Sequence, residues 1–297
     1  MTTQSTLPAL LSQGVVLTDG AWGTQLQARG LQPGELPDLW NLSQPDKVRE
    51  VAAAYVAAGS QVILTNTFGG NRFRLAESGC ADRLKAINEA GARLSREAAG
   101  QRALVFASIG PSGKMLMAGD VTEDELLAAF TEQAVALAAG GAQGLVVETM
   151  ADPVEAVLAI RAAKSTGLPV VGSMVFDSGK DKDRTMMGAT PEQAAAALAE
   201  AGADVIGSNC GQGIAGFVKI CARLKAASGG RPVWIKANAG LPKVVAGQIS
   251  YETSAGEFAH YIPALIEAGA TFVGGCCGTS PEFIRAVRQK LDSLPGR

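Results

Sequence analysis

Histidine is almost absent from this chain: His260 is the only one, and aromatic residues make up 5% of the 297 positions. His260 falls in a predicted helix ahead of Pro263, where a solvent-facing position is expected. There is no basic run and no low-complexity tract, and a net charge of −2 gives no reason to bind nucleic acid or an anionic membrane. No apolar stretch approaches the ~20 residues that a membrane span needs. Residues 1–11 show neither a basic start nor a long apolar segment, so no signal peptide is expected. Five cysteines is an odd number, which argues against a disulfide framework and for reduced thiols in the cytoplasm. What the chain does have is small and apolar: 47% hydrophobic residues and 36 glycines, suited to a large core with tight helix–strand connections. The length fits one large α/β barrel or two ordinary domains.

One pattern occurs four times: a helix end, Ala-Gly or Gly-Gly, a short apolar run, then polar residues. The copies are Ala58-Gly59 to Thr67, Gly140-Gly141 to Thr149, Ala201-Gly202 to Cys210 and Ala268-Gly269 to Cys277. Each glycine fits a helix C-cap, where a left-handed backbone is needed. Each following run reads as a parallel strand buried on both faces. Further strand candidates lie between the copies, at 15–19, 103–108, 169–174 and 232–236. Eight strands alternating with helices predict a (β/α)8 TIM barrel, one domain over 1–297 with residues 1–10 as a flexible tail. An open doubly wound sheet is the rival, but Gly20-Ala21-Trp22-Gly23 is not a glycine-rich phosphate fingerprint. Val48, Val51, Ala52, Tyr55 and Val56 form one apolar stripe on a helix over 46–58. Thr122 and Glu125 read as a capping box, and Asp152-Pro153, Thr190-Pro191 and Ser280-Pro281 as helix starts.

Chemistry in such a barrel sits at the C-terminal ends of the strands. Seven or eight positions after each repeat glycine come Asn66 and Thr67, Glu148 and Thr149, Cys210, and Cys276 and Cys277. Equal counts put three cysteines and a carboxylate on one rim. Cys80 and Cys221 fall outside the register and read as ordinary cysteines. Three thiolates with a fourth position open is a catalytic zinc pattern, and soft sulfur ligands select zinc over magnesium or calcium. Such a site carries a net charge of about −1 and activates water poorly. It suits the binding of a substrate thiol, whose pKa falls on a metal.

The segments Leu17-Thr18-Asp19-Gly20-Ala21-Trp22-Gly23-Thr24, Thr65-Asn66-Thr67-Phe68-Gly69-Gly70, Gly110-Pro111-Ser112-Gly113, Glu148-Thr149, Asn209-Cys210-Gly211, Asn238-Ala239-Gly240-Leu241-Pro242 and Gly274-Gly275-Cys276-Cys277-Gly278 resemble the homocysteine S-methyltransferase family over most of the chain. The resemblance implies a (β/α)8 barrel and methyl transfer to homocysteine to make methionine. It implies one zinc ion held by Cys210, Cys276 and Cys277, with the substrate sulfur in the fourth place. It also implies a homocysteine site in which Glu148 and Asp19 receive the ammonium, the Gly20–Thr24 turn (Gly20, Ala21, Gly23, Thr24) meets the carboxylate, and Asn209 lies close by.

The motifs are similar to the homocysteine domain of cobalamin-dependent methionine synthase, but no histidine motif for a corrinoid is present. The segments Pro37-Asp38-Leu39-Trp40-Asn41 and Met186-Met187-Gly188 look like those of stand-alone bacterial betaine–homocysteine methyltransferases. The expected donor is therefore a small onium compound such as glycine betaine. Its cation would favour an aromatic wall, worth ~0.5–2 kcal/mol per good contact. Trp22, Trp40, Phe68 and Tyr251 are the aromatic candidates, with Asn66 and Asn238 as polar ones. A methylated corrinoid protein or a methylfolate system is the alternative donor, and a non-catalytic zinc-binding barrel is the second alternative. The long loop after the first strand and the loop 177–188 are expected to act as lids. Nothing in the pattern assigns an oligomeric state.

Overall fold

The computed structural model describes residues 6–241, 243–245 and 248–294. Eight parallel strands form one sheet: β1 (Val16–Leu17), β2 (Val62–Ile63), β3 (Leu104–Ile109), β4 (Gly144–Met150), β5 (Val170–Met174), β6 (Val205–Gly213), β7 (Val233–Asn238) and β8 (Phe272–Gly275). Their order is β1-β8-β7-β6-β5-β4-β3-β2, so each strand lies beside its neighbour in sequence and β8 returns to β1. The sheet curls into a nearly closed (β/α)8 barrel, as the repeat predicts. At the seam, the Gln61 amide donates to Leu17 O at 2.8 Å and the Gln61 side-chain oxygen accepts from the Leu17 amide at 3.0 Å.

The same clamp recurs in every copy of the repeat. Two residues after the glycine stand Gln61, Gln143, Asp204 and Thr271. Each side chain accepts from the amide of Leu17, Val105, Val170 or Val233 on the preceding strand, at 2.8–3.3 Å. The matching backbone amide donates to the carbonyl of that same residue at 2.8 Å. A polar residue at this position therefore locks each even strand in register with the odd strand before it. The four glycines have φ of +99°, +95°, +95° and +102°, the left-handed turn expected of them.

Helices follow the strands as predicted. Pro45–Ala57 buries Val48, Val51, Ala52, Tyr55 and Val56. Thr122 and Thr190 form full capping boxes, while the Asp152 and Ser280 side chains accept from Val154 N and Glu282 N. One cluster of buried residues fills the barrel itself: Val16, Val62, Leu64, Phe106, Val146, Val171, Val205, Trp234 and Phe272. A larger one fills the layer between strands and helices. Of the tail expected over residues 1–10, residues 1–5 lie outside those described. Thr6–Leu11 is a short helix whose Leu10 is buried with the barrel-filling cluster. That apolar contact is what holds it. An antiparallel pair, Lys243–Val245 with Gln248–Ser250, is inserted after β7. No helix among the described residues is long and apolar enough to cross a membrane.

Neither expected lid hangs free. The Asn66 side chain donates to Pro37 O at 2.7 Å, and Asn41 Nδ2 donates to Asn66 O at 2.7 Å. These bonds pin the β1 loop to the β2 loop. The 177–188 loop folds back through the Ser178–Arg184 bridge, and Asp183 pairs with Arg223 at 2.5 Å.

Asp38, buried in the β1 loop, accepts from Gly69 N at 3.0 Å. Burial pushes its pKa up to about 7, against the pull of its own and the Gly69 amides and of Arg74. In the unfolded chain its pKa is about 3.9. Between these values the folded chain holds a proton that the unfolded chain has released, so Asp38 makes stability fall as pH rises from about 4 to about 7. Asp38→Asn is expected to flatten this slope and to raise the urea midpoint at pH 8, by up to about 4 kcal/mol of stability. Unfolding curves at pH 5 and pH 8 check it; an unchanged difference between the two pH values would show that Asp38 is not buried as a charge.

Candidate functional site

The sequence brings three cysteines to one end of the barrel, and the backbone decides where their sulfurs meet. Cys210 lies in β6 with φ of +63°, a left-handed conformation rare for a side-chain-bearing residue. Cys276 and Cys277 follow β8, with β7 lying between β8 and β6. Two glycines let that segment approach: a Cβ at Gly274 would lie 1.9 Å from Thr18 Oγ1, and one at Gly275 2.2 Å from Thr279 Oγ1. The Cys276 amide donates to Ala237 O at 2.7 Å, and Thr279 Oγ1 donates to Cys276 O at 2.7 Å.

The three sulfurs all lie within 4.8 Å of one another, a group that could hold a metal ion, and the Cys210 and Cys277 sulfurs are 3.8 Å apart. Metal–sulfur bonds of ~2.3 Å at tetrahedral angles put sulfurs about 3.8 Å apart, so the donor set fits a tetrahedral cation. Its protonation chemistry fits as well. Hydrogen bonds from Cys276 and Cys277 draw the Cys210 pKa down to about 3. The bond to Cys210 in turn pushes Cys277 up to about 12 and raises Cys276 well above the usual thiol range. Without a cation, one thiolate keeps its two neighbours as thiols; a bound cation is what lets all three ionise together.

Glu148 stands at the end of β4, buried, with Ser108 Oγ at 2.5 Å. Burial raises its pKa, and the Lys236 charge and the Ser108 bond pull it back. Asn209 joins this carboxylate to the cysteines. Its Oδ1 accepts from the Thr149 amide at 2.8 Å and from Ser173 Oγ at 2.7 Å. Its Nδ2 donates to Thr149 Oγ1 at 2.7 Å and faces Glu148 Oε2 at 3.4 Å and the Cys276 sulfur at 3.8 Å. Expected as a substrate contact, Asn209 is fully buried and spends its amide inside the chain. Thr149 occupies the repeat position of Cys210 and shares its backbone, with φ of +59°.

Several motif residues are engaged otherwise than the sequence suggests. Asp19 is fully buried: it pairs with Lys236, and its Oδ2 accepts from Trp22 Nε1 at 2.8 Å and Leu64 N at 2.7 Å. Expected to receive a substrate ammonium, Asp19 already holds an internal one, that of Lys236. The Ala21 amide already donates to Thr279 Oγ1 at 3.1 Å, so it is not open to a carboxylate. Gly20 is packed against Thr279 and Tyr55. Trp40 is core, 7% exposed, with the Lys47 ammonium 4.7 Å from its ring centre, so it is withdrawn as a donor contact. Asn66 is withdrawn too, because it holds the β1 loop. Asn238 is buried against Cys210. Phe68 is exposed, Trp22 is half-buried, and Tyr251 is half-buried on Gly278.

Lys236, at 2% exposure, is the site residue that sequence reasoning missed. A lone charge closing the run Val233-Trp234-Ile235 in a strand buried on both faces was the available signal, since such a charge needs a buried partner. Cys80 and Cys221 lie away from the cluster, and burial pushes Cys221 up to about 12. A cavity of about 220 Å³ opens beside the β3 and β4 loops, lined by Met115, Met117, Met186 and Met187; none of the three cysteines lines it.

Fold and site together define a (β/α)8-barrel enzyme with a cysteine cluster at the catalytic face. A model of the homocysteine S-methyltransferase family matches residues 16–291, and the chain belongs to that family. It is 32% identical over 96% of its length to a methionine synthase of Mycobacterium tuberculosis, and 32% identical over 93% to one of Mycobacterium leprae. It spans about a quarter of the length of these relatives, 25% and 24%. A crystal structure of the homocysteine methyltransferase MmuM from Escherichia coli, in metallated form, is similar with a TM-score of 0.79. The two are 25% identical, over 96% of this chain and 99% of that one.

Proposed function

We propose that this chain methylates homocysteine to methionine at a zinc ion held by Cys210, Cys276 and Cys277, taking the methyl group from a small onium compound such as glycine betaine. The observation that carries the reading is the close set of three sulfurs linked through Asn209 to a buried carboxylate, Glu148. A zinc ion there would supply a soft Lewis acid that lowers the pKa of a substrate thiol. Glu148 receives the substrate ammonium, because an opposite charge offsets the cost of its burial. Gly23 and Thr24 meet the carboxylate: Gly23 is exposed, and Thr24 Oγ1 has no partner among the described residues. Trp22 and Phe68 are the aromatic faces left for the donor cation.

In the transfer, the substrate sulfur forms a bond to the methyl carbon. The carbon–nitrogen bond breaks, its electron pair stays on nitrogen, and a neutral amine such as dimethylglycine leaves. No proton moves in this step, so positioning and water exclusion carry the rate.

A second reading has one observation in its favour. Of the exposed large apolar side chains, Phe68, Met115, Met117, Met186 and Leu241 all lie on segments that follow the strands at the barrel mouth. An apolar rim of this kind suits a methyl-carrying protein partner, such as a corrinoid protein. The test is zinc-loaded protein with homocysteine and glycine betaine, without corrinoid, and methionine measured by mass spectrometry. Methionine is expected. Its absence with betaine and other onium donors, together with turnover on methylcobalamin, would replace the first reading with the second.

A further inference from the structure

Tyr251 lies between the inserted strand pair and the helix Ala255–His260. Its position is built rather than incidental. A Cβ placed on Gly278 would lie 2.3 Å from the root of the Tyr251 ring and 2.4 Å and 2.7 Å from its flanking carbons. Only glycine lets the ring lie there, and Gly278 is also left-handed, with φ of +80°. Backbone bonds hold the two segments together: Thr253 N donates to Ala239 O at 3.2 Å, and Ala239 N donates to Cys277 O at 2.9 Å. The ring is thus set one residue beyond Cys277. Its hydroxyl comes within electrostatic reach of the three cysteine sulfurs, Cys277 first among them.

We infer that Tyr251 is a positioning residue of the metal centre: its hydroxyl donates to the Cys277 sulfur while its ring, seated on Gly278, shields that side of the cluster from water. This rests on reading the three cysteines as the metal ligands. A donor to a bound thiolate draws charge from the sulfur and fixes its direction. Groups of this outer kind change metal affinity by roughly 10–100-fold when lost. Tyr251 is therefore tied to the metal rather than spent as a wall for the methyl donor.

Cobalt(II) in place of zinc gives a readout independent of turnover, because its sulfur-to-metal absorption band reports the charge on the thiolates. Tyr251→Phe keeps the ring and removes the donor. It is expected to shift that band to longer wavelength and to weaken zinc binding by roughly tenfold in competition with a chromophoric chelator. Tyr251→Leu, which also lacks the hydroxyl, serves if the first variant does not fold, as judged by circular dichroism. A band at the wild-type position in the folded variant overturns the inference, whatever the affinity. If the wild-type protein itself shows no sulfur-to-cobalt band, the cysteine metal site falls, and this inference with it.

Discussion

Cys277→Ala is expected to empty the metal site and to reduce methionine formation by at least about a hundredfold, more than the loss of an outer-shell group costs. The sulfurs of Cys210 and Cys277 stand 3.8 Å apart, and Cys276 completes a set within 4.8 Å. Removing one leaves two sulfurs, and the charge that draws the cation falls with it. The variant should still fold, because Cys277 is only half-buried in a turn held by backbone bonds. Cys80→Ser is the matched control: this thiol bonds Ser78 O at 3.3 Å, away from the cluster, and its loss should leave metal content and turnover unchanged. Metal analysis after dialysis and a methionine assay decide the matter. A Cys277→Ala protein that retains both would end the case for this site.

Lys236→Met is expected to destabilise the fold by about 3–5 kcal/mol, because it strands a buried carboxylate. Asp19 is fully buried and Lys236 is 2% exposed, so neither charge has water to fall back on. Asp19 also accepts from Leu64 N at 2.7 Å, so its carboxylate joins the end of β1 to the residue after β2. Those are the two strands that the Gln61 clamp and the Ser60 Oγ bond to Thr18 O also join. The double variant Asp19→Asn with Lys236→Met removes both charges and leaves an amide oxygen for Leu64 N, so much of the loss should return. Urea unfolding of the single and double variants measures this. A single-variant cost below about 1 kcal/mol would mean that the ion pair does not hold the seam.

The barrel was legible because its information is local and repeated. Glycine at each helix end, an apolar run after it and capping residues before proline are short-range signals, and four copies make the count of strands hard to mistake. The cysteine register was legible for the same reason, since equal spacing from equal glycines puts equal heights on one rim. The clamp formed by Gln61, Gln143, Asp204 and Thr271 was visible as four polar residues at one repeat position. Its purpose shows only once each is seen bonding the strand before it.

Partnership at the mouth was not legible, because it is made between residues far apart in the chain. Asp19 and Ala21 read as open substrate contacts until Lys236, Trp22, Leu64 and Thr279 are found on them. Asn66 and Trp40 read as donor contacts until the β1 loop folds over and engages them. By itself, the sequence determined the barrel, the rim on which the thiols stand and the family of the chain, since each follows from spacing along the backbone. Only the tertiary structure decided which polar groups are already satisfied and which are free for a ligand. The physical reason is that a buried donor or acceptor takes whichever partner the fold brings within hydrogen-bond reach, and that partner can lie 217 positions away, as Lys236 does from Asp19.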